Sequence, residues 1–369
     1  MSDIFQNFNF GIEFESCVNI GDTVFGLRDD YRKIRQQVHD SILKGFQDKK
    51  IEEKNPLNTV QWQFYDTYAK YTNDYTKWWY ITNDGSIYCN EDSKYCILKG
   101  QRSENCPDVS FCDIEIVSKI LKTKDYQGFK ELVFAWIAYI LSDNLTYLVN
   151  DTQGLHVHIS HPDLDLYKFL KVWFIYEPVI NNIISPYRRK NKNDKQGFCT
   201  DIRCLTDYKS LQTKSPMQTK KGYNIDLKYY AINTKFFQEY EKRVEIRVYQ
   251  GTADIEEIYN WVLFCSTLAK FSIQNIDDVL DTIYEKFQDD YAGLLISLFQ
   301  NVIVDKNLVD YFLTKHNENK TEDTPIAKQN FDTQIIYPTW DKILDQESLN
   351  IAKKLQAMKI EYLPVSEQD

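Results

Sequence analysis

Apolar and polar residues alternate strictly in four stretches of the chain, and a period of two marks a strand with two unlike faces. The first, residues 8–18, sets Ile12 and Phe14 against Glu13 and Glu15. Residues 111–118 set Ile114 and Ile116 against Asp113 and Glu115. Gly154–Ser160 sets Leu155, Val157 and Ile159 against His156 and His158. Residues 243–250 set Val244, Ile246 and Val248 against Glu245 and Arg247. Other stretches show helical spacing: residues 29–46, 125–148, 163–184, 254–271, two stretches between 277 and 315, and a terminal helix over 348–360. The run Asn83-Asp84-Gly85-Ser86 lies between two β-prone runs and predicts a hairpin. Residues 90–109 read as a polar loop and 229–233 as a further strand.

Strands and helices are interspersed without regular βα alternation, which predicts an α+β fold with a mainly antiparallel sheet. The expected organisation is a catalytic domain over residues 1–275 with a basic insertion at 187–224. A mostly helical region, 276–369, packs on it and contains a polar linker at 316–328.

Composition narrows the function. The formal net charge is −10, which argues against a nucleic-acid partner, because phosphate neutralisation needs clustered cations. The insertion departs from this balance, with ten Lys or Arg against three Asp, and is a candidate clamp for an anionic ligand. The longest strongly apolar run, residues 132–141, is too short to span a bilayer. No signal peptide precedes the first polar motif, so the expectation is a cytoplasmic protein with free thiols and no membrane partner. Cys89, Cys96, Cys106 and Cys112 lack CxxC spacing, which favours isolated thiols over a zinc site.

A polar face is ordinary on a half-solvated strand. Here the eight polar positions are confined to Glu, Asp, His and Arg, and two of the five histidines share one strand. Carboxylates at i and i+2 repel unless a cation neutralises them. The four faces together read as one divalent-metal and nucleotide face. Hard carboxylate oxygens with an imidazole suit Mg²⁺ or Mn²⁺, and an Arg beside a Glu suits a transferring phosphoryl group. The chain has neither a GxxxxGK[ST] loop nor a GxGxxG turn, so neither of those phosphate cradles is used. A metal-dependent hydrolase using the His156/His158 pair and an inactive binding module remain as alternatives.

The ordered set Gly11-Ile-Glu-Phe-Glu15, Trp78 with Asp84-Gly-Ser86, Glu115-Ile-Val-Ser118, Gly154-Leu-His-Val-His158, Pro186-Tyr-Arg-Arg189 and Glu245-Ile-Arg-Val-Tyr-Gln-Gly-Thr252 resembles the amidoligase family. That family is related to glutamine synthetase and glutamate–cysteine ligase, and the resemblance covers roughly residues 8–270. It implies a curved, half-barrel sheet with helices on its convex face. It also implies ATP-dependent joining of a carboxylate to an amine through an acyl phosphate, on an amino acid, peptide or protein. Carried over by position, Glu13, Glu15, Glu115, His156 and Glu245 are the implied metal ligands. His156, His158, Arg247, Arg189 and Glu15 are the implied nucleotide contacts, and Arg247, Glu245 and Arg188 the implied catalytic residues. Asp84 would orient substrate or metal, whereas Asp113 is not clearly part of the pattern. The long basic segment after Arg189 departs from the pattern.

Overall fold

The computed structural model describes residues 8–19, 63–64, 80–82, 87, 96–98, 101–103, 112–123, 128–129, 132, 146–150, 153–188, 199–214, 230–234, 237, 242–252, 254–274 and 276–319. The chain divides into two compact units. The first is Met1–Phe10, His156–Gln250 and Asn260–Thr339; the second is Gly11–Leu155, Gly251–Tyr259 and Trp340–Asp369. Open, mainly antiparallel sheet and helices make the class α+β, as the alternation predicts.

The strands of the second unit are β1 (Asn9–Asn19, whose first two residues belong to the first unit), β2 (Gln63–Phe64), β3 (Tyr80–Thr82), β4 (Cys96–Leu98), β5 (Gln101–Ser103), β6 (Cys112–Val117), β7 (Leu121–Lys122) and β8 (Thr146–Asn150). Their order is β1-β6-β3-β2, with β7 and β8 also pairing with β1, and β4 with β5 and β8. The β1–β6 and β3–β6 ladders are antiparallel and β2–β3 is parallel. The inner faces of β1 and β6 supply the core: Ile12, Phe14, Ile114 and Ile116 are all buried. Their partners on the other side of each strand are acids. The alternation thus sets both the core and the polar face in a single register, because a slip of one residue would exchange them.

The first unit contains β9 (Gly154–Ser160), which the chain enters from the second unit, then α1 (Leu166–Ile183), α2 (Tyr208–Gln212), β10 (Ile232–Asn233) and β11 (Arg243–Gln250). After these come α3 (Ile255–Ser272), α4 (Asp277–Phe287), α5 (Tyr291–Ser297), a π-helical turn (Leu298–Val302) and α6 (Lys306–Asn319). The strand order is β10-β11-β9. Asp165 caps α1 by accepting from Lys168 N, and α1 packs on α2, α4, α5 and α6. Tyr249 of β11 stacks on Trp261 of α3 at 4.4 Å between ring centroids, and Phe264 carries the aromatic cluster on to Phe312 of α6 at 4.7 Å. This cluster ties α3 and α6 to the end of β11 through Tyr249. No helix among the described residues is long and apolar enough to cross a membrane.

Several expectations are corrected. The stretch 90–109 holds the short antiparallel pair β4 and β5 rather than a loop throughout, since Cys96-Ile-Leu98 is itself β-prone. The helix expected over 125–148 does not reach its end, because Thr146–Asn150 pairs with β1 and β4 as a strand. Tyr230 makes only an isolated bridge to Thr200. The two helical stretches after residue 277 become three helices and a π turn, and α6 runs to Asn319, into the first residues read as a linker. Cys199, Cys204 and Cys265 are free thiols as expected, but Cys17 is disulfide-bonded. The predicted helices over 29–46 and 348–360, the turn over 83–86, and Trp78 lie outside the described residues.

One side chain locks the edge of the acidic register. Ser118 N donates to Ile12 O at 2.8 Å, and Ile12 N donates back to Ser118 Oγ, also at 2.8 Å. The hydroxyl thus stands in for a backbone carbonyl just beyond β6. Ser118→Ala would leave a buried N–H without an acceptor, which costs about 1–3 kcal/mol. Chemical denaturation should show a loss of that size, and a loss below about 0.5 kcal/mol would contradict this account of the ladder.

Candidate active site

The second unit presents carboxylates across a strand pair. Glu15 of β1 lies directly opposite Glu115 of β6, and Glu13 lies opposite Val117. Because Ile12 and Ser118 form a hydrogen-bonded pair, alternation makes Glu15 and Glu115 a non-hydrogen-bonded pair, the kind in which side chains sit closest. Like charges so placed are destabilising, and at 4 Å two of them repel by roughly 4 kcal/mol at an effective dielectric of about 20. Glu15 is also only 3% exposed. Its Oε2 accepts from Gly154 N at 2.6 Å, a charge-assisted bond to backbone. The glycine before the two histidines therefore brings its backbone onto the Glu15 carboxylate. The neighbouring Gln153 donates to Cys17 Sγ at 3.0 Å and accepts from Gly251 N through its carbonyl.

The first unit presents a second buried cluster. On β9, His156 and His158 are buried along with Leu155, Val157 and Ile159. On β11, Glu245 and Arg247 are 3% and 6% exposed, and Val244, Ile246 and Val248 are buried too. The polar faces of these strands are interior, unlike those of half-solvated strands. Arg247 Nη1 is hydrogen-bonded to Glu245 Oε1, and His156 Nδ1 lies 3.6 Å from the same oxygen. Asn233, opposite Glu245 in the β10–β11 ladder, donates to Oε2 at 2.6 Å. Glu245 is therefore held at both oxygens, between a guanidinium, an imidazole and an amide.

Arg188 reaches β11 from a 3₁₀ turn, Pro186–Arg188, after α1. Its Nη2 donates to Arg247 O at 2.9 Å and to Cys199 Sγ at 3.2 Å. Cys199 Sγ lies 3.1 Å from the same carbonyl and donates to it. The segment behind Cys199 is fastened to α1 by Glu177. That buried carboxylate accepts from Trp173 Nε1, Ile202 N and Arg203 N at 2.8–2.9 Å. Arg203 in turn donates from Nε to Phe174 O at 2.8 Å and lies over the Phe174 ring. This part of the basic insertion is thus built into the fold, and its Arg203 serves the scaffold.

Among the described residues the structure brings His156, Glu245 and Arg247 into one cluster and puts Arg188 on the backbone of Arg247. It pairs Glu15 with Glu115 across a ladder, with Glu13 two residues along. Asp113 faces Cys17 in register. His158 is buried on the face of β9 that carries His156. Arg189 and Asp84 lie outside the described residues. Sequence reasoning missed Asn233, Cys199 and Glu177. The strand reading of 229–233 could have placed Asn233 as a cross-strand partner. Nothing in the spacing marked the other two.

A family model described as "putative amidoligase enzyme" matches residues 6–269. The chain belongs to the amidoligase family. The match takes in β1, β6, β9 and β11, and so all the acidic and histidine positions just described. No curated protein matches this amidoligase-family chain. Two solved structures are similar over most of it. A bifunctional glutathione synthetase from Pasteurella multocida is 11% identical, over 96% of this chain and 53% of that one, with a TM-score of 0.34. A glutamate–cysteine ligase from Francisella tularensis, in complex with AMP, is 12% identical over 99% and 91%, with a TM-score of 0.31. The chain spans about half the length of the bifunctional enzyme. At these scores neither likeness bears on the site.

Glu177 gives this scaffold a pH signature. Burial and the neighbouring Asp201 carboxylate push its carboxyl up from 4.5 to about 8, against the pull of its three donors. Between those values the folded chain keeps a proton that the unfolded chain has released, so stability falls as pH rises across the window. Melting temperature should therefore drop more steeply from pH 5 to pH 8 in the wild type than in Glu177→Gln, followed by scanning calorimetry at constant ionic strength. Parallel profiles would contradict the assignment.

Proposed function

We propose that this amidoligase-family chain is an ATP-dependent carboxylate–amine ligase built on a half-barrel sheet, acting on an amino acid, peptide or protein. The observation that carries the reading is the burial of Glu245, Arg247 and His156 together on interior strand faces. Charge is kept in such a place when it is paired or coordinates a cation or anion.

The donor chemistry fits a divalent cation. Glu15 and Glu115 face each other as hard oxygen donors whose repulsion a cation relieves, and Glu13 stands beside them on β1. Glu13, Glu15, Glu115, His156 and Glu245 would hold Mg²⁺ or Mn²⁺. The ion supplies neutralisation of phosphate charge when bound. Gly154 N–H fixes one Glu15 oxygen, and Asn233 fixes one Glu245 oxygen, so both carboxylates are oriented before any ligand arrives. Glu245 holds the Arg247 guanidinium, whose planar donors suit the oxygens of a transferring phosphoryl group. His156, His158 and Arg189 complete the nucleotide contacts in this reading, and Arg188 takes an anionic oxygen of a reactant.

The chemistry that follows has two displacements. A substrate carboxylate oxygen attacks the γ-phosphorus and ADP leaves, giving an acyl phosphate. An amine nitrogen then attacks the acyl carbon, phosphate leaves, and the nitrogen gives up a proton as the amide forms. Both steps develop negative charge on phosphate oxygens, which is where a buried guanidinium contributes most. Neither step requires a covalent enzyme intermediate.

Incubation with ATP, Mg²⁺ or Mn²⁺ and a broad panel of amino acids and peptides should release ADP, resolved by chromatography. Glu15→Gln and Arg247→Lys should each lower that rate by about a hundredfold or more while remaining folded. No ADP across the panel, full activity in Glu15→Gln, or turnover that needs no ATP would each count against the ligase.

A further inference from the structure

Cys199 stands apart from the residues that family and motif single out. It adopts a left-handed backbone, φ 68°, which a side chain other than glycine rarely takes and which persists only where the surroundings enforce it. The surroundings here do so from both directions. Thr200 bridges Tyr230, and Ala231 N donates to Thr200 O at 2.9 Å. Two residues further on, Ile202 N and Arg203 N are held by the Glu177 carboxylate. The strained residue is thus clamped between the residues that lead into β10 and α1.

Its side chain meets two groups at once. The thiol lies 3.1 Å from Arg247 O and 3.2 Å from Arg188 Nη2, and Nη2 itself lies 2.9 Å from that carbonyl. A neutral thiol donates its proton to the carbonyl and accepts from the guanidinium, closing a three-membered hydrogen-bonded set. Arg188 is buried, and its Nε has no hydrogen-bond partner in the structure. One end of the guanidinium is therefore fixed, and a buried donor remains on the same rigid plane. An unmet donor on a buried cation is costly unless a ligand meets it.

We infer that Cys199 is a positioning residue: its thiol fixes the Arg188 guanidinium against the β11 backbone and so presents the Arg188 Nε–H to an anionic oxygen of a reactant. The inference rests on the ligase reading for what that oxygen belongs to, a phosphate or a carboxylate. It does not depend on turnover for its test.

The full chain labelled with ¹⁵Nε-arginine is titrated with Mg·ATP in one arm and with acetate in the other. The Arg188 Nε–H signal is identified by its loss in Arg188→Lys. In the wild type that signal moves with one probe or both: Mg·ATP alone assigns a phosphate oxygen, acetate alone a carboxylate. Cys199→Ala, which removes both thiol contacts, weakens the responding probe by about tenfold. Cys199→Ser keeps a donor and an acceptor and restores binding to within about threefold of the wild type. Cys199→Gly separates position from stability. It relieves the left-handed backbone, so it melts at least as high as Cys199→Ala, yet it binds as weakly. A signal that responds to neither probe, or Cys199→Ala and Cys199→Gly binding as the wild type does, overturns the inference. If wild type forms no ADP but the Cys199 series behaves as stated, the ligase reading fails and the positioning role stands. Wild-type ADP formation with an indifferent Cys199 series gives the reverse.

Discussion

Burying a carboxylate is costly unless something meets its charge, and Glu15 and Glu245 are both almost fully buried. Each is met on one oxygen by an uncharged donor, Gly154 N–H for Glu15 and the Asn233 amide for Glu245. Those bonds orient the groups but do not cancel their charge. For Glu245, Arg247 supplies the cancellation, with His156 close by. For Glu15 the residue directly across the ladder is another glutamate. In the proposed reading a divalent cation would neutralise this pair. The apolar sides of the same strands, buried throughout, prevent the acids from turning out to water.

The second requirement is rigidity. The proposed phosphoryl transfer would gain from donors that need no reorganisation at the moment of reaction. The structure supplies this through backbone. Arg188 is bound to the carbonyl of Arg247, and Cys199 to both. The segment carrying Cys199 hangs on α1 through Glu177, whose three donors come from a tryptophan and two successive backbone amides. The aromatic stack from Tyr249 through Trp261 and Phe264 to Phe312 braces the end of β11. Part of the basic insertion, read from its charge as a candidate anion clamp, is thus a strut.

The strands that carry the candidate residues were legible because alternation leaves little freedom. β9 and β11 match their expected spans, and β1 and β6 differ from theirs by a residue or two. The candidate acids, histidines and Arg247 followed from the same alternation, and the family from their order. Short strands were less legible, since β4 and β5 have three residues each and owe their pairing to neighbours rather than to pattern. Thr146–Asn150 continues an apolar run that reads as helix until β1 and β4 are available to pair with it. Asn233, Cys199 and Glu177 act through partners distant in sequence, and single-sequence spacing carries no signal for such contacts. Cys199 was the hardest to read, because its role depends on a left-handed backbone that the sequence around it does not announce.

The central claim is that the face bearing Glu13, Glu15 and Glu115 binds a divalent cation. Titration of the full chain with Mn²⁺, following free ion by electron paramagnetic resonance, tests it without needing a substrate. The account predicts saturable binding that Mg²⁺ displaces and that Glu115→Gln weakens by about tenfold or more. Absence of saturable binding, or binding that Glu115→Gln leaves unchanged, would contradict it.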